Sequence, residues 1–427
     1  MIPPSFVLRR LVVKKARDVV EGTTLDFGLG LNLLLGRNGS GKTTCLEIIA
    51  GLLSFDDTRL PFALQVEAEY RETGSQGTIA LTLERYLDPS SLLATDIDDD
   101  GEDEYRTVVR GRIEIPGREP ADFSWDGAKG MLGETEIKTR PDQLRLFIGM
   151  AFGYTRAGLK VQRRNGGPHP IPPINPGNPA LTELAPTPRV DRHDEGLTLL
   201  NLALTESHIT IELREGAQSR ARASGAEGLS AHLARAIPNV AELVPNLAPI
   251  DLAELGLGEL PGRLGATSGR FELRSERLER LRGTYRAELF FRFPDESERR
   301  WEQLSYGERR LVSLSWYLAA NPSAVCLDEP VNGLHHAWLD WLMGEIERRP
   351  QAFVATQNPL LLDYVNFTSE EQIRDGIILC SREVEGPGAR TRLRWRHPTD
   401  VEASKMFDAV AAGIQYVSEI LIMQGLW

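Results

Sequence analysis

The sequence predicts an α/β protein: a mixed β-sheet flanked by helices, an antiparallel β-lobe, and an inserted Pro-rich, partly helical subdomain. Three observations predict it. An opening rich in Val, Leu and Phe runs into a glycine-rich turn and then into a segment of helical spacing. Strand-like segments then alternate with Gly, Asp and Pro clusters from Phe62 to Phe123. Beyond a Pro-dense break, strand and helix textures alternate again from Tyr285 to the end.

In chain order, FVLRRLVVKKA and TTLDFGLGLNLLL read as extended, and CLEIIAGLL after the turn reads as helix. ALQVEAEY, TIALTLERY and TVVRGRIEI read as strands. Between the last two, Asp96–Glu104 holds seven acids in nine residues, which reads as a solvated, self-repelling loop rather than a metal site. Eight prolines between Pro168 and Pro188 forbid regular helix and predict an extended loop or linker. Residues 196–285 carry short helical patterns such as AEGLSAHLARAIPNVAELV, and no heptad persists long enough for a coiled-coil arm. Arg270–Arg310 mixes Arg with acids and reads as a helix surface. Near the end, Phe407, Val410, Ile414, Val417 and Leu421 recur at helical spacing and predict one amphipathic helix packed on its own lobe.

The chain has 427 residues, a prior of about three domains or one large domain with an insertion. Its net charge of −12 argues against wholesale polyanion binding. Cys45, Cys326 and Cys380 are too few and too scattered for a disulfide framework or a metal knuckle, so a reducing cytoplasmic setting is expected. No run approaches a membrane span, and MIPPSFVLRRLVVKK lacks the apolar core of a secretory leader.

The chemistry concentrates in three segments. Gly36-Arg37-Asn38-Gly39-Ser40-Gly41-Lys42-Thr43 fits G-x-x-x-x-G-K-[ST], after an apolar strand and before a helix. Its glycines let successive amides face phosphate oxygens at a positive helix end. Lys42 then reaches the β and γ phosphates, and the Thr43 hydroxyl ligates Mg²⁺. Ser323–Leu327 is a short apolar strand ending in Asp328-Glu329-Pro330, where a metal-associated carboxylate and a base for the attacking water belong. Leu304-Ser305-Tyr306-Gly307-Glu308 opens a helix, RRLVSLSWYLAA. Read alone it is an N-cap; beside a phosphate loop it is a second anion site, for the nucleotide of another subunit.

GRNGSGKTT, LSYGE, VCLDEP, NGLHH and VATQNP, in that order, resemble the ATP-binding-cassette head of the SMC, RecF and OLD-type ATPases. The resemblance covers roughly residues 5–155 and 285–427 and implies a two-lobed P-loop NTPase head split in sequence. The expected layout is 1–155 for the N-terminal half of the head, 156–284 for the insertion, and 285–427 for the C-terminal half. It implies ATP and Mg²⁺ as ligands, with Gly36 to Thr43 and Thr44 around the nucleotide and Thr43 and Asp328 at the metal. It makes Glu329 the base, Ser305, Gly307 and Glu308 the signature segment facing a partner's nucleotide, and Asn332, Gly333, Leu334 and His335 the dimer-facing loop. Where the family places a histidine, this chain has Gln357, an amide that hydrogen-bonds but carries no charge. Slow turnover with intact ATP-driven dimerisation is therefore expected. Gln143 is the candidate for the glutamine that follows the first lobe's strands.

The implied function is an ATPase forming an ATP-sandwich homodimer and serving as a nucleotide-gated sensor or scaffold. Its effector would be a separate protein such as a nuclease, in anti-phage defence. The alternative is a RecF-like DNA-structure ATPase, for which the alternating Arg390, Arg392, Arg394 and Arg396 are the one supporting feature. A transporter subunit is disfavoured by the N-G-L-H loop and the long insertion.

Overall fold

The apolar runs LNLLL, AVCL, AFVA and IILC become neighbouring parallel strands, buried on both faces as their lack of alternation requires. In the computed structural model the order is Ala324–Asp328, Gln351–Thr356, Gly30–Leu35, Ile377–Val384, with Thr391–Arg396 closing a hairpin antiparallel to the last. The structure describes residues 6–55, 60, 62–73, 76–87, 105–139, 144–157, 190–192, 208–214, 217–224, 237, 242–280, 282–384, 391–412 and 417–423.

The chain divides into two compact units. The first comprises 1–190, 323–328 and 346–427 and contains the parallel sheet, with helix Lys42–Ser54 on strands Ala324–Asp328 and Gln351–Thr356. It also contains an eight-stranded antiparallel sheet. That sheet is built on Phe6–Ala16, with Thr23–Asp26 on one side and Leu64–Glu72, Thr78–Leu87 and Tyr105–Glu114 on the other. The three predicted strands of the lobe are all present. Helix Leu144–Ala157 lies in the same apolar core as both sheets, its Phe147 against Phe123.

Two buried amides tie the sheets of this unit together. At a bulge between Leu8 and Arg10, the Gln351 Oε1 accepts from the Leu8 amide at 3.0 Å. Its Nε2 donates to the carbonyls of Leu8 (2.7 Å) and Gly28 (3.1 Å). Asn32 Oδ1 in turn accepts from the Gly28 amide at 3.1 Å. Both side chains are fully buried, and their bonds satisfy backbone groups of Leu8 and Gly28.

The second unit comprises 191–322 and 329–345. Among the described residues it carries short helices at Leu252–Leu255 and Leu260–Arg263 and is built on an antiparallel sheet. Its order is Ala217–Ser224, His208–Arg214, Arg282–Arg292, Ser268–Leu278, Ile250–Asp251. Phe271, Leu273, Tyr285, Ala287, Leu289 and Phe291 alternate into one core with Leu311, Val312 and Trp316 of helix Tyr306–Ala320. That period of two, not the mixed charge between, decides the structure of 270–292, so the predicted helix surface there is strand. The expected boundary at 284 falls inside the strand Arg282–Arg292, which pairs with both 208–214 and 268–278. The Pro-dense 165–188, the acidic 96–104 and Gln143 lie outside the described residues, as does most of AEGLSAHLARAIPNVAELV.

The single amphipathic helix expected at the end is two: Asp400–Ala411 and Val417–Met423. Ala403, Met406 and Ile420 are buried, while Phe407 and Val410 are only half-buried. Ile414 lies outside the described residues. The register of the first helix is set by its cap, Thr399 Oγ1 accepting from the Glu402 amide and Glu402 bonding back to the Thr399 amide.

Candidate functional site

Parallel strands deliver their C-terminal ends to one edge of the sheet. The register pairs Asp328 with Ala355, and Thr356 with Leu35. The residues that follow these strand ends are therefore Gly36, Gln357 and Glu329, all predicted from sequence. Such an edge is where open α/β sheets bind ligands.

The phosphate loop begins at buried Gly36 and ends at Gly41, the N-cap of helix Lys42–Ser54. Gly39 and Gly41 have φ of 77° and 82°, left-handed values that only glycine adopts without strain. A Cβ at Gly41 would stand 2.6 Å from Leu393 Cδ1, so the loop packs closely on that side chain. Lys42 is buried, and its ammonium donates to the carbonyls of Gly36 (2.7 Å) and Arg37 (3.3 Å), which places a cation within the curl of the loop. Ser40 is buried, and its Oγ has no hydrogen-bond partner among the described residues. Arg37, Asn38 and Gly39 are exposed.

Thr43, in the first turn of the helix, donates its hydroxyl to Asp328 Oδ2 at 2.6 Å. Asp328 is buried at the tip of its strand, 285 residues away in sequence. Two hard oxygen ligands thus meet beside the phosphate loop, and the donor set suits Mg²⁺ rather than a softer metal. Glu329, next in the chain, has a left-handed backbone with φ of 50°, a conformation that costs a non-glycine residue energy and recurs at functional positions. Gln357 is half-buried, at the mouth of a turn in which the Asn358 amide donates to Thr356 Oγ1 at 2.9 Å.

The signature segment and the loop after Glu329 lie in the second unit. Ser305 is the N-cap of helix Tyr306–Ala320 and shares a capping box with Glu308: the Ser305 amide donates to Glu308 Oε2 at 2.7 Å. A Cβ on Gly307 would stand 3.1 Å from the Gly333 carbonyl, so the predicted signature and dimer-facing loops are neighbours. Gly333 has φ of 77°, and the His335 and His336 rings are 4.2 Å apart on the exposed face of that loop.

Of the arginine stripe, Arg390 lies outside the described residues. Arg394 pairs with Glu383 at 2.9 Å and Arg396 with Glu402 at 2.7 Å. The face predicted as solvated is solvated, and two of its charges are already neutralised. All three thiols are buried. Burial pushes Cys380 up to about 12 against the pull of Lys42, and burial also raises Cys45, helped by the neighbouring Cys380 and Cys326. They pack as small apolar fillers.

Two contributors escaped the sequence reading. Gln351 and Asn32 follow no motif; a polar residue inside an apolar strand run was their only signal. The packing of Leu393 and Trp395 against the phosphate loop likewise follows no motif.

A glycine loop around a buried lysine, a threonine hydroxyl bonded to a strand-tip carboxylate, and a parallel sheet presenting both define a P-loop nucleotide-binding head of mixed α/β fold. Comparison with known families agrees: two segments of the chain match AAA-domain models. Residues 211–363 match the model described as "AAA domain, putative AbiEii toxin, Type IV TA system", and residues 10–86 match a second AAA-domain model. No curated protein matches the chain. Among solved structures it is similar to an SMC head bound to the C-winged helix domain of ScpA, with 14% identity over 91% of this chain and 98% of that one, at a TM-score of 0.38. It is also similar to the SMC head domain from Thermotoga maritima, with 14% identity over 90% and 97%, at a TM-score of 0.32. A third is the Smc head from Pyrococcus furiosus bound to the C-terminal domain of ScpA, with 13% identity over 95% and 100%, at a TM-score of 0.35. The assignment rests on the site and the two segment matches.

Proposed function

We propose that the protein is a Mg²⁺-dependent ATPase whose nucleotide joins two heads into a head-to-tail homodimer. The carrying observation is the 2.6 Å bond between Thr43 and Asp328, beside the Lys42 ammonium. In this reading Gly36 to Thr44 hold the phosphates through backbone amides, Lys42 and the Ser40 hydroxyl, and Thr43 and Asp328 hold Mg²⁺. The metal supplies neutralisation of charge on the β and γ phosphate oxygens. Glu329 accepts a proton from the attacking water, and its left-handed backbone fixes where that carboxylate points. Gln357 orients the water or a phosphate oxygen through its amide without adding charge, which supports slow turnover. Ser305, Gly307 and Glu308, with the loop Asn332 to His335, meet the nucleotide of the other copy.

The matching family model, described as a type IV toxin–antitoxin component, favours a role in bacterial defence. The head would act there as a nucleotide-gated sensor for a separate effector protein such as a nuclease, in the cytoplasm. The RecF-like alternative loses ground because Arg394 and Arg396 are engaged by Glu383 and Glu402. Among the described residues, no helix is long and apolar enough to cross a membrane.

The test is steady-state ATP hydrolysis by wild type and Glu329→Gln, with and without duplex DNA, together with solution mass in ATP. Glu329→Gln should lose at least about 100-fold in turnover, the scale of a general base, and accumulate as an ATP-dependent dimer. A wild-type rate from that variant would overturn the assignment of the base. Strong stimulation by DNA would move the function to the DNA-structure reading.

A further inference from the structure

The hairpin Ile377–Val384/Thr391–Arg396 forms the back of the phosphate loop. At the loop's start, a Cβ on Gly36 would collide with the Cys380 carbonyl. At its end, a Cβ on Gly41 would meet Leu393 Cδ1 at 2.6 Å and Trp395 Nε1 at 3.2 Å. Cys380 and Trp395 are directly paired across the hairpin. The hairpin strand is itself held: the Val20 amide donates to the Leu393 carbonyl at 2.9 Å, and the Leu393 amide to the Asp18 carbonyl at 2.8 Å. Trp395 is 2% exposed, and its indole N–H donates to the Ser40 carbonyl at 3.4 Å.

That bond acts on the amide beyond it. A peptide unit is planar and trans, so the Ser40 carbonyl and the Gly41 N–H point in opposite directions. With the carbonyl turned back onto the indole, the Gly41 amide must face away from the hairpin. We propose that Trp395 is a positioning residue for phosphate binding: its indole N–H fixes the Ser40–Gly41 peptide so that the Gly41 amide is presented to the nucleotide. Flipping this peptide turns ψ of Ser40 and φ of Gly41, and the glycine on one side leaves it that freedom. An external clamp removes that freedom before ligand arrives, which is preorganisation. The inference rests on the nucleotide reading of this loop and adds a residue outside any phosphate-binding motif.

The test separates shape from hydrogen bonding. Benzothienylalanine in place of Trp395 keeps the ring system and puts sulfur where the N–H was; Trp395→Phe keeps an aromatic ring in case incorporation is incomplete. Dissociation constants for ATP and ADP, KM and kcat, and melting temperature would be measured alongside Lys42→Ala. Losing one positioning hydrogen bond should raise the ATP dissociation constant and KM roughly 2- to 10-fold, with kcat at saturating ATP and the melting temperature of the isostere close to wild type. An isostere that binds ATP as tightly as wild type overturns the proposal. So does a loss of affinity that follows the loss of folded protein. If Lys42→Ala binds ATP as well as wild type, the nucleotide reading itself has failed and the proposal falls with it.

Discussion

Two glutamates share a left-handed backbone and differ in everything else. Glu296, at φ of 62°, lies exposed in the turn that joins Arg282–Arg292 to Glu298–Arg300, while Glu329, at φ of 50°, follows the strand-tip carboxylate. At each, glycine removes a Cβ clash worth about 1–2 kcal/mol and adds unfolded-state entropy worth about 0.5–1 kcal/mol. Glu296→Gly should therefore raise the melting temperature slightly and leave hydrolysis unchanged. Glu329→Gly should abolish hydrolysis, as a turnover assay on the same samples, with calorimetry to confirm folding, would check. A turn residue is strained for geometry alone, and the residue after Asp328 is strained where we propose the chemistry is placed. The φ of Glu329 could not be read from the sequence, because Asp-Glu-Pro after a strand is compatible with several turns.

At the scale of elements, the eight-stranded and parallel sheets are joined by side chains as well as by apolar packing. Gln351→Leu keeps the volume of a buried position but leaves the Leu8 amide and carbonyl without the partner seen here, while the Gly28 carbonyl keeps the Asn32 Nδ2 at 3.4 Å. The expected loss is about 2–6 kcal/mol, about 1–3 kcal/mol for each of two orphaned buried groups, read as a drop in the denaturation midpoint. The hairpin and the following helix are joined by charge. The Arg396 guanidinium bonds both Glu402 oxygens, at 2.7 and 2.8 Å. Chiefly through that contact, the Glu402 carboxyl is held down at about 2. A carboxylate depressed by folding stabilises the protein above its ordinary range and loses that contribution as pH falls toward the folded value. The melting difference between wild type and Glu402→Gln should thus be largest near neutrality and shrink as the pH is lowered from about 4.5 toward about 2. The partly exposed setting keeps the effect small and salt-sensitive.

At the scale of the molecule, a chain of net charge −12 presents a phosphate loop whose own surroundings are cationic: Lys42 within it and Arg37 on its rim. The overall charge opposes binding of long polyanions and leaves a nucleotide site intact, because a Debye length of about 8 Å at physiological salt screens distant acids. Raising salt should accordingly change ATP affinity little, and titration across a salt series would check it.

How much of this was legible depends on the range of each interaction. Motif spacing and local periodicity revealed the α/β class, the phosphate loop, the carboxylate strand and the antiparallel lobe, because the residues that make a turn or bury a strand lie within a few positions of one another. The same short range misled at Ser268–Leu278, where the period of two becomes decisive only when the strand pairs with Arg282–Arg292. Which polar residue stitches two sheets and which indole backs the phosphate loop were decided by the tertiary structure alone. Those partners are 343 and 355 residues apart, and a contact across such a loop is set by packing, on which local propensity has no hold.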